Sequence, residues 1–184
     1  MDLMLDTETL GNTPNSVLLQ IGACYFNRYT GEIGETFLMN VDLKSSLRHG
    51  FEIVPETFYW WLGQSDDARK SILESPLCSV ENALNFFNTF AKKASSVWSH
   101  KDFDFVIVMN HLRVLNYNPS FRFSVGKDIR TLTDLGNHDW AKYEKDREQA
   151  HNALEDCKYQ VKYCVDCFNY LREVVAGKKD NNIK

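Results

Sequence analysis

No stretch of the 184-residue chain is apolar for long enough to cross a bilayer, and the first residues carry acids where a secretory signal would carry bases. A cytosolic protein without a membrane partner is expected. Basic charge is scarce as well. With 21 lysines and arginines against 25 aspartates and glutamates, the net charge is −4, which argues against a surface that coats duplex nucleic acid nonspecifically. That balance still allows an acidic site neutralised by bound cations. Cysteine is sparse: Cys164-x-x-Cys167 is half of a zinc or redox pattern, and no second pair stands at finger spacing. Cys157, Val161, Cys164, Phe168, Leu171 and Val175 instead form a helical stripe, so buried free thiols in a reducing compartment are expected. Neither an internal repeat nor a low-complexity linker divides the chain. Residues 1–176 therefore read as one domain, followed by a polar tail at 177–184.

A hydrophobic content of 43% with 13% aromatic residues marks a globular chain with a substantial core. Its organising stretch is the start. Leu3-Met4-Leu5 reads as a buried strand, followed by Asp6-Thr7-Glu8-Thr9-Leu10-Gly11. Side chains two residues apart on a strand point to one face, so Asp6 and Glu8 project together. Two ionised carboxylates at that spacing repel unless a cation lies between them, and a hard divalent ion with oxygen ligands fits. The plainer reading is a solvated turn with a helix-start acid.

The rest of the chain alternates strands and helices. Residues 16–27 and 32–41 read as a hairpin turned by Tyr29-Thr30-Gly31, and residues 42–54 as an irregular loop. Pro55 suits a helix start, Ser65 caps a short helix to Leu73, and Ser79 opens an amphipathic helix to Ala91. A strand at 95–99 precedes His100-Lys101-Asp102-Phe103-Asp104 and an apolar helix at 105–115. Then follow a loop at 116–126 with a brief strand near 121–125, a short helix at 128–135, a charged solvated segment at 140–148, and a last helix over 152–175. This order predicts an α/β fold: a mixed central sheet, with a three-strand antiparallel start and parallel additions, covered by helices. In such sheets sites gather beyond strand ends, so Asp6, Glu8 and Asp104 can meet.

The third cluster is His151-Asn152-Ala153-Leu154-Glu155-Asp156. Five residues of helix turn about 140°, so His151 and Asp156 share a site only if His151 lies in the loop before the helix. Alone, His151 also reads as a capping or surface histidine.

Together, Asp6-x-Glu8, Phe103-Asp104 and His151-x4-Asp156 resemble the DEDDh branch of DnaQ-like 3′–5′ exonucleases, which have a ribonuclease H-like fold. Gln20-Ile21-Gly22-Ala23, Thr30-Gly31-Glu32 and residues 127–132 extend the match. The Trp60-Trp61 pair and Trp98 look like the small exoribonuclease group of phages and bacteria. Members often carry glycines after the tryptophan of motif two, where this chain has Ser99-His100-Lys101, and the acid there is doubled as Asp102 and Asp104. Asp104 matches the Phe-Asp pattern, whereas Asp102 reads as a helix cap or a neighbour of the site.

The resemblance implies a catalytic set of Asp6, Glu8, Asp104, Asp156 and His151. The four acids would hold two Mg²⁺ or Mn²⁺ ions, and His151 would take a proton from the attacking water. It implies release of nucleoside 5′-monophosphates from the 3′ end of single-stranded RNA or DNA. Thr9 and Leu10 would hold the terminal nucleotide. Trp60, Trp61, Phe103 and Tyr117 are candidates to stack on bases, with core packing the better reading for most of them. Arg130 would face a phosphate or a neighbouring subunit, or else pair with Asp128 or Asp134. A homodimer and a cytoplasmic location, the host's if the chain is phage-encoded, also follow. Two alternatives are an inactive nucleic-acid-binding or regulatory protein on the same fold, and a phosphodiesterase acting on dinucleotides or cyclic nucleotides.

Overall fold

The computed structural model describes residues 1–74, 76–143 and 151–177. Most of the expected solvated segment at 140–148, and all but the first residue of the tail, lie outside them. Among the described residues no helix is long and apolar enough to cross a membrane.

Five strands make one sheet: β1 (Asp2–Thr9), β2 (Leu18–Phe26), β3 (Ile33–Asn40), β4 (Ser96–Ser99) and β5 (Gly126–Asp128), in the order β3-β2-β1-β4-β5. β1 pairs antiparallel with β2, and β2 with β3, while β4 and β5 add in parallel on the other side of β1. The expected mixed sheet is therefore present, with the acid-bearing strand at its centre. Gly31 takes a positive φ of 76° in the turn from β2 to β3, a conformation that costs glycine nothing.

Alternation along β1 sorts its side chains between two cores. Leu3 and Leu5 pack with Ile21, Ala23 and Tyr25 against α4 (Val80–Phe90) and α5 (Val106–Val114). Met4 joins Cys24, Phe26 and Trp98 against α6 (Ile129–Leu135) and α8 (Ala153–Val175). Each fully buried aliphatic side chain of this kind stabilises the fold by about 1.5–3 kcal/mol. Helix starts follow capping chemistry: Asp42, Ser65, Ser79, Asp128 and Asn152 accept backbone N–H bonds at the heads of α1 (Leu43–Arg48), α3 (Asp66–Ser71), α4, α6 and α8. Pro55 opens α2 (Pro55–Leu62), and α7 spans Trp140–Tyr143.

Three expectations need correction. Residues 42–54 are not wholly irregular, because Asp42 caps a six-residue helix. The brief strand near 121–125 falls later: Phe123–Val125 is a 3₁₀ turn, and β5 begins at Gly126. The cysteine stripe loses its last member, since Val175 is 88% exposed. The thiols behave as expected: all five are free, and Cys157, Cys164 and Cys167 are buried. Burial pushes their thiol pKa values upward, that of Cys167 to about 11, so they stay protonated and unreactive.

Candidate active site

The acids of the first cluster lie within β1 rather than beyond it. Asp6 pairs with Gly22 and Glu8 with Gln20 of β2, and both carboxylates are buried. β4 joins β1 in parallel over Asp2 to Met4 only, so the chain leaving β4 passes beside Asp6. This is where strand order switches direction, the crevice in which open α/β sheets place their sites.

Past β4 the chain winds one π-type turn, Lys101–Phe105, before α5. Such wide turns recur at functional positions. Here the turn carries Asp104 inward, with 1% of its surface exposed. Oδ1 of Asp104 accepts from the backbone N–H and the hydroxyl of Thr7, at 2.9 and 2.8 Å. Oδ2 accepts from the backbone N–H of His100 at 3.2 Å. Asp102 points outward instead, its side chain 78% exposed and paired with Arg130. Asp102 is therefore not a helix cap, and the guanidinium of Arg130 meets it rather than Asp128 or Asp134.

The third cluster arrives with α8. His151 sits before the helix at φ 68°, a left-handed conformation that strains a non-glycine residue. Its N–H donates to Asp156 Oδ2 at 3.0 Å, and its carbonyl accepts from Ser71 Oγ at 3.0 Å. The rings of Trp60 and Trp61 stand steeply inclined to the imidazole, at 86° and 73°, with centroids 4.8 and 5.9 Å away. The indole N–H of Trp61 donates to the carbonyl of Thr9 at 2.9 Å, which ties α2 to the end of β1.

Two sets of donor atoms result. Oxygen or nitrogen atoms of Glu8, His151 and Asp156 lie within 4.8 Å of one another, and so do those of Asp6, His100 and Asp104. Burial pushes the Asp6 carboxyl pKa well above its usual range, and the carboxylates of Asp104, Glu8 and Asp156 push it further. Gln160 offsets part of this by donating to Asp6 Oδ1 at 2.6 Å. Burial likewise lifts Asp104 to about 7, against its bonds from Thr7 and His100. A buried cluster of four carboxylates that raises the Asp6 pKa, with a histidine in each donor set, fits divalent cations of the Mg²⁺ or Mn²⁺ class, which would restore the ionised forms.

The proposed nucleotide-holding residues are placed differently. Thr9 is buried and donates its hydroxyl to the carbonyl of Gly11 at 2.6 Å. Leu10, 5% exposed, is part of the core. Phe103 is half-buried against that core.

Two supporting residues of the match had no role readable from the sequence. Gln20 accepts from the N–H of Ala153 at 2.6 Å and donates to the carbonyl of Ser71 at 3.2 Å, fastening the head of α8 to β2. Gly22 has no room for a side chain, since a Cβ there would stand 2.2 Å from the backbone carbon of Ala153. The Gln20-Ile21-Gly22 match now has a cause: the glutamine binds the helix head, and the glycine lets it touch the strand.

A family model described as the 3′–5′ exoribonuclease Rv2179c-like domain matches residues 1–168. The chain belongs to the Rv2179c-like domain family. It is accordingly a DnaQ-like 3′–5′ exonuclease. An exodeoxyribonuclease of Enterobacteria phage T4 is 24% identical over 207 residues, covering 89% of this chain and 90% of its own. Exonuclease I shares the fold with a TM-score of 0.63 at 15% identity, over 95% of this chain and 45% of that one. E. coli exonuclease I bound to a 5cy-dA13 oligonucleotide gives 0.57 at 14% identity, over 94% and 40%. The Rv2179c-like chain thus spans less than half the length of these two structural neighbours.

Proposed function

We propose that the protein removes nucleotides one at a time from the 3′ end of single-stranded RNA or DNA, releasing nucleoside 5′-monophosphates. Convergence of three sequence-remote clusters, Asp6 and Glu8, Asp104, and His151 with Asp156, carries this reading. Asp6, Glu8, Asp104 and Asp156 would hold two Mg²⁺ or Mn²⁺ ions, with Asp6 contributing to both positions. When bound, such ions neutralise phosphate charge and acidify water.

The chain's own groups do the rest. His151 is half-buried, so water and a phosphodiester can reach its ring. Its backbone is fixed on both sides by Ser71 and Asp156, and its ring by the two tryptophans. It accepts the proton of the attacking water as oxygen bonds to phosphorus and the bond to the upstream 3′ oxygen breaks. Tyr159, another candidate base, donates its hydroxyl to the carbonyl of Tyr143 at 2.8 Å and is occupied there. Burial of the carboxylates strengthens every charge interaction in the site relative to water. Trp60 presents an exposed ring beside His151, where a terminal base could stack.

The family description names ribonucleotide polymers, and the phage relative's name deoxyribonucleotide polymers. A panel of 3′-labelled RNA and DNA oligonucleotides of matched sequence, with Mg²⁺, Mn²⁺ or EDTA, tests the reading. Labelled mononucleotide released stepwise and only with metal supports it. Cleavage of dinucleotides alone would replace it with the phosphodiesterase alternative. The homodimer implied by the resemblance is no part of this reading.

A further inference from the structure

Where members of the resembling group often carry glycine, this chain places an imidazole. The backbone N–H of His100 holds Asp104 Oδ2, and its ring turns back over the same oxygen, with Nδ1 3.7 Å away. That separation is too long for a hydrogen bond. Two ligand atoms each about 2.0–2.2 Å from one cation stand about 3–4 Å apart at tetrahedral and octahedral angles. The ring belongs to the compact donor set with Asp6 and Asp104, and 29% of its surface faces solvent, so a hydrated cation could reach it.

We propose that His100 is a direct ligand of the cation held by Asp6 and Asp104, giving that position a mixed nitrogen and oxygen donor set that favours Mn²⁺ over Mg²⁺. The assignment rests on the two-cation reading above. Mg²⁺ is hard, keeps its waters and takes oxygen ligands, so an imidazole offers it little. First-row transition ions accept imidazole readily. The other donor set also holds an imidazole, His151, beside Glu8 and Asp156; with that ring assigned to the attacking water, the carboxylates there stay open to either ion.

The substitution that tests this is clean, because Asp104 is held by backbone and Thr7 groups that survive a change of the His100 side chain. His100→Gln and His100→Gly, the latter restoring the group's common residue, would be compared with wild type in the full metal-free chain by calorimetric titration with Mn²⁺ and with Mg²⁺. Mn²⁺ affinity at one of two positions is expected to fall about tenfold or more, with Mg²⁺ affinity changed less than about threefold. Pulsed EPR of the Mn²⁺-loaded protein should show ¹⁴N coupling that His151→Ala retains and His100→Gln loses. Equal losses for both ions would mean that His100 only orders Asp104, and would overturn the assignment. So would ¹⁴N coupling that survives His100→Gln. A wild-type protein that binds neither ion sinks the two-cation reading itself, whereas one that binds Mn²⁺ without coupling from His100 sinks this assignment alone.

Discussion

The backbone N–H of His151 donates to Asp156 Oδ2 at 3.0 Å, across the capping residue of α8. Five residues of continuous helix would turn the two side chains apart. By leaving the helix at φ 68°, His151 brings its ring to the same side as the carboxylate. The strain of that backbone is the cost of putting an imidazole and an acid from one short segment into one site.

His151→Ala is expected to lower turnover about 10²–10⁴-fold, as for loss of a general base. Its binding of Mn²⁺, followed by calorimetry, should persist. His151→Gly removes the same ring and the strain together, so its melting temperature should exceed that of His151→Ala by roughly 2–4 °C. If His151→Ala keeps more than about a tenth of wild-type turnover, the base lies elsewhere.

Asp6→Asn keeps the shape of the side chain and the oxygen that accepts from Gln160, but removes a charge that three neighbouring carboxylates oppose. Activity should be lost, while the metal-free melting temperature stays level or rises by a few degrees, about 1 kcal/mol. Asp156→Asn is expected to behave alike. Near-wild-type turnover by either variant would remove the proposed cation site.

Asp104→Asn should abolish turnover, and Asp102→Asn should leave it within about twofold, since one side chain is buried in the site and the other pairs with Arg130 at the surface. Single-turnover assays of the two variants decide the matter. Loss of turnover in the Asp102 variant alone would move motif two by two residues.

His111 gives a prediction independent of catalysis. Its ring stacks on Phe51 with centroids 3.7 Å apart, Nδ1–H donates to the carbonyl of Ile107 at 2.8 Å, and Nε2 is buried with no hydrogen-bond partner among the described residues. Burial lowers its pKa from 6.5 to about 4. Between those values the unfolded chain binds a proton that the folded chain refuses, so stability falls as pH drops from 6.5 and levels off below about 4. His111→Phe should flatten that slope while keeping the stack. Asp104, raised to about 7, acts with the opposite sign in metal-free protein, because the folded state then holds the extra proton. Melting curves should therefore be read as the wild-type minus His111→Phe difference at each pH, where the Asp104 effect cancels. A difference independent of pH would contradict the buried neutral ring.

Much of this architecture was legible because its signals are local. Turn chemistry at Tyr29-Thr30-Gly31 gave the β2–β3 hairpin, serine caps gave α3 and α4, and the spacing of Asp6 and Glu8 gave a shared face. α1 was missed because six residues with only Leu43 and Leu47 apolar form no stripe, although Asp42 stood ready to cap them. The wide turn before α5 left no trace, since the width of a turn is not written in residue types. His100, Gln20 and Gln160 matter through partners up to 154 residues away, which no window on the chain can show. Leu10 is the reverse case: its position in the motif suggested contact with substrate, and packing placed it in the core.

Gln20 and Gly22 fasten the head of α8 to a strand made more than a hundred residues earlier, and this gives the enzyme a timetable. During synthesis β1, β2 and β3 can pair as soon as they emerge, while His151 and Asp156 are among the last parts of the site to be made. Every shorter nascent chain has the acids of β1 without their partners on α8. In the proposed reading, the messenger RNA being translated meets no working nuclease at its own ribosome until α8 has emerged and docked.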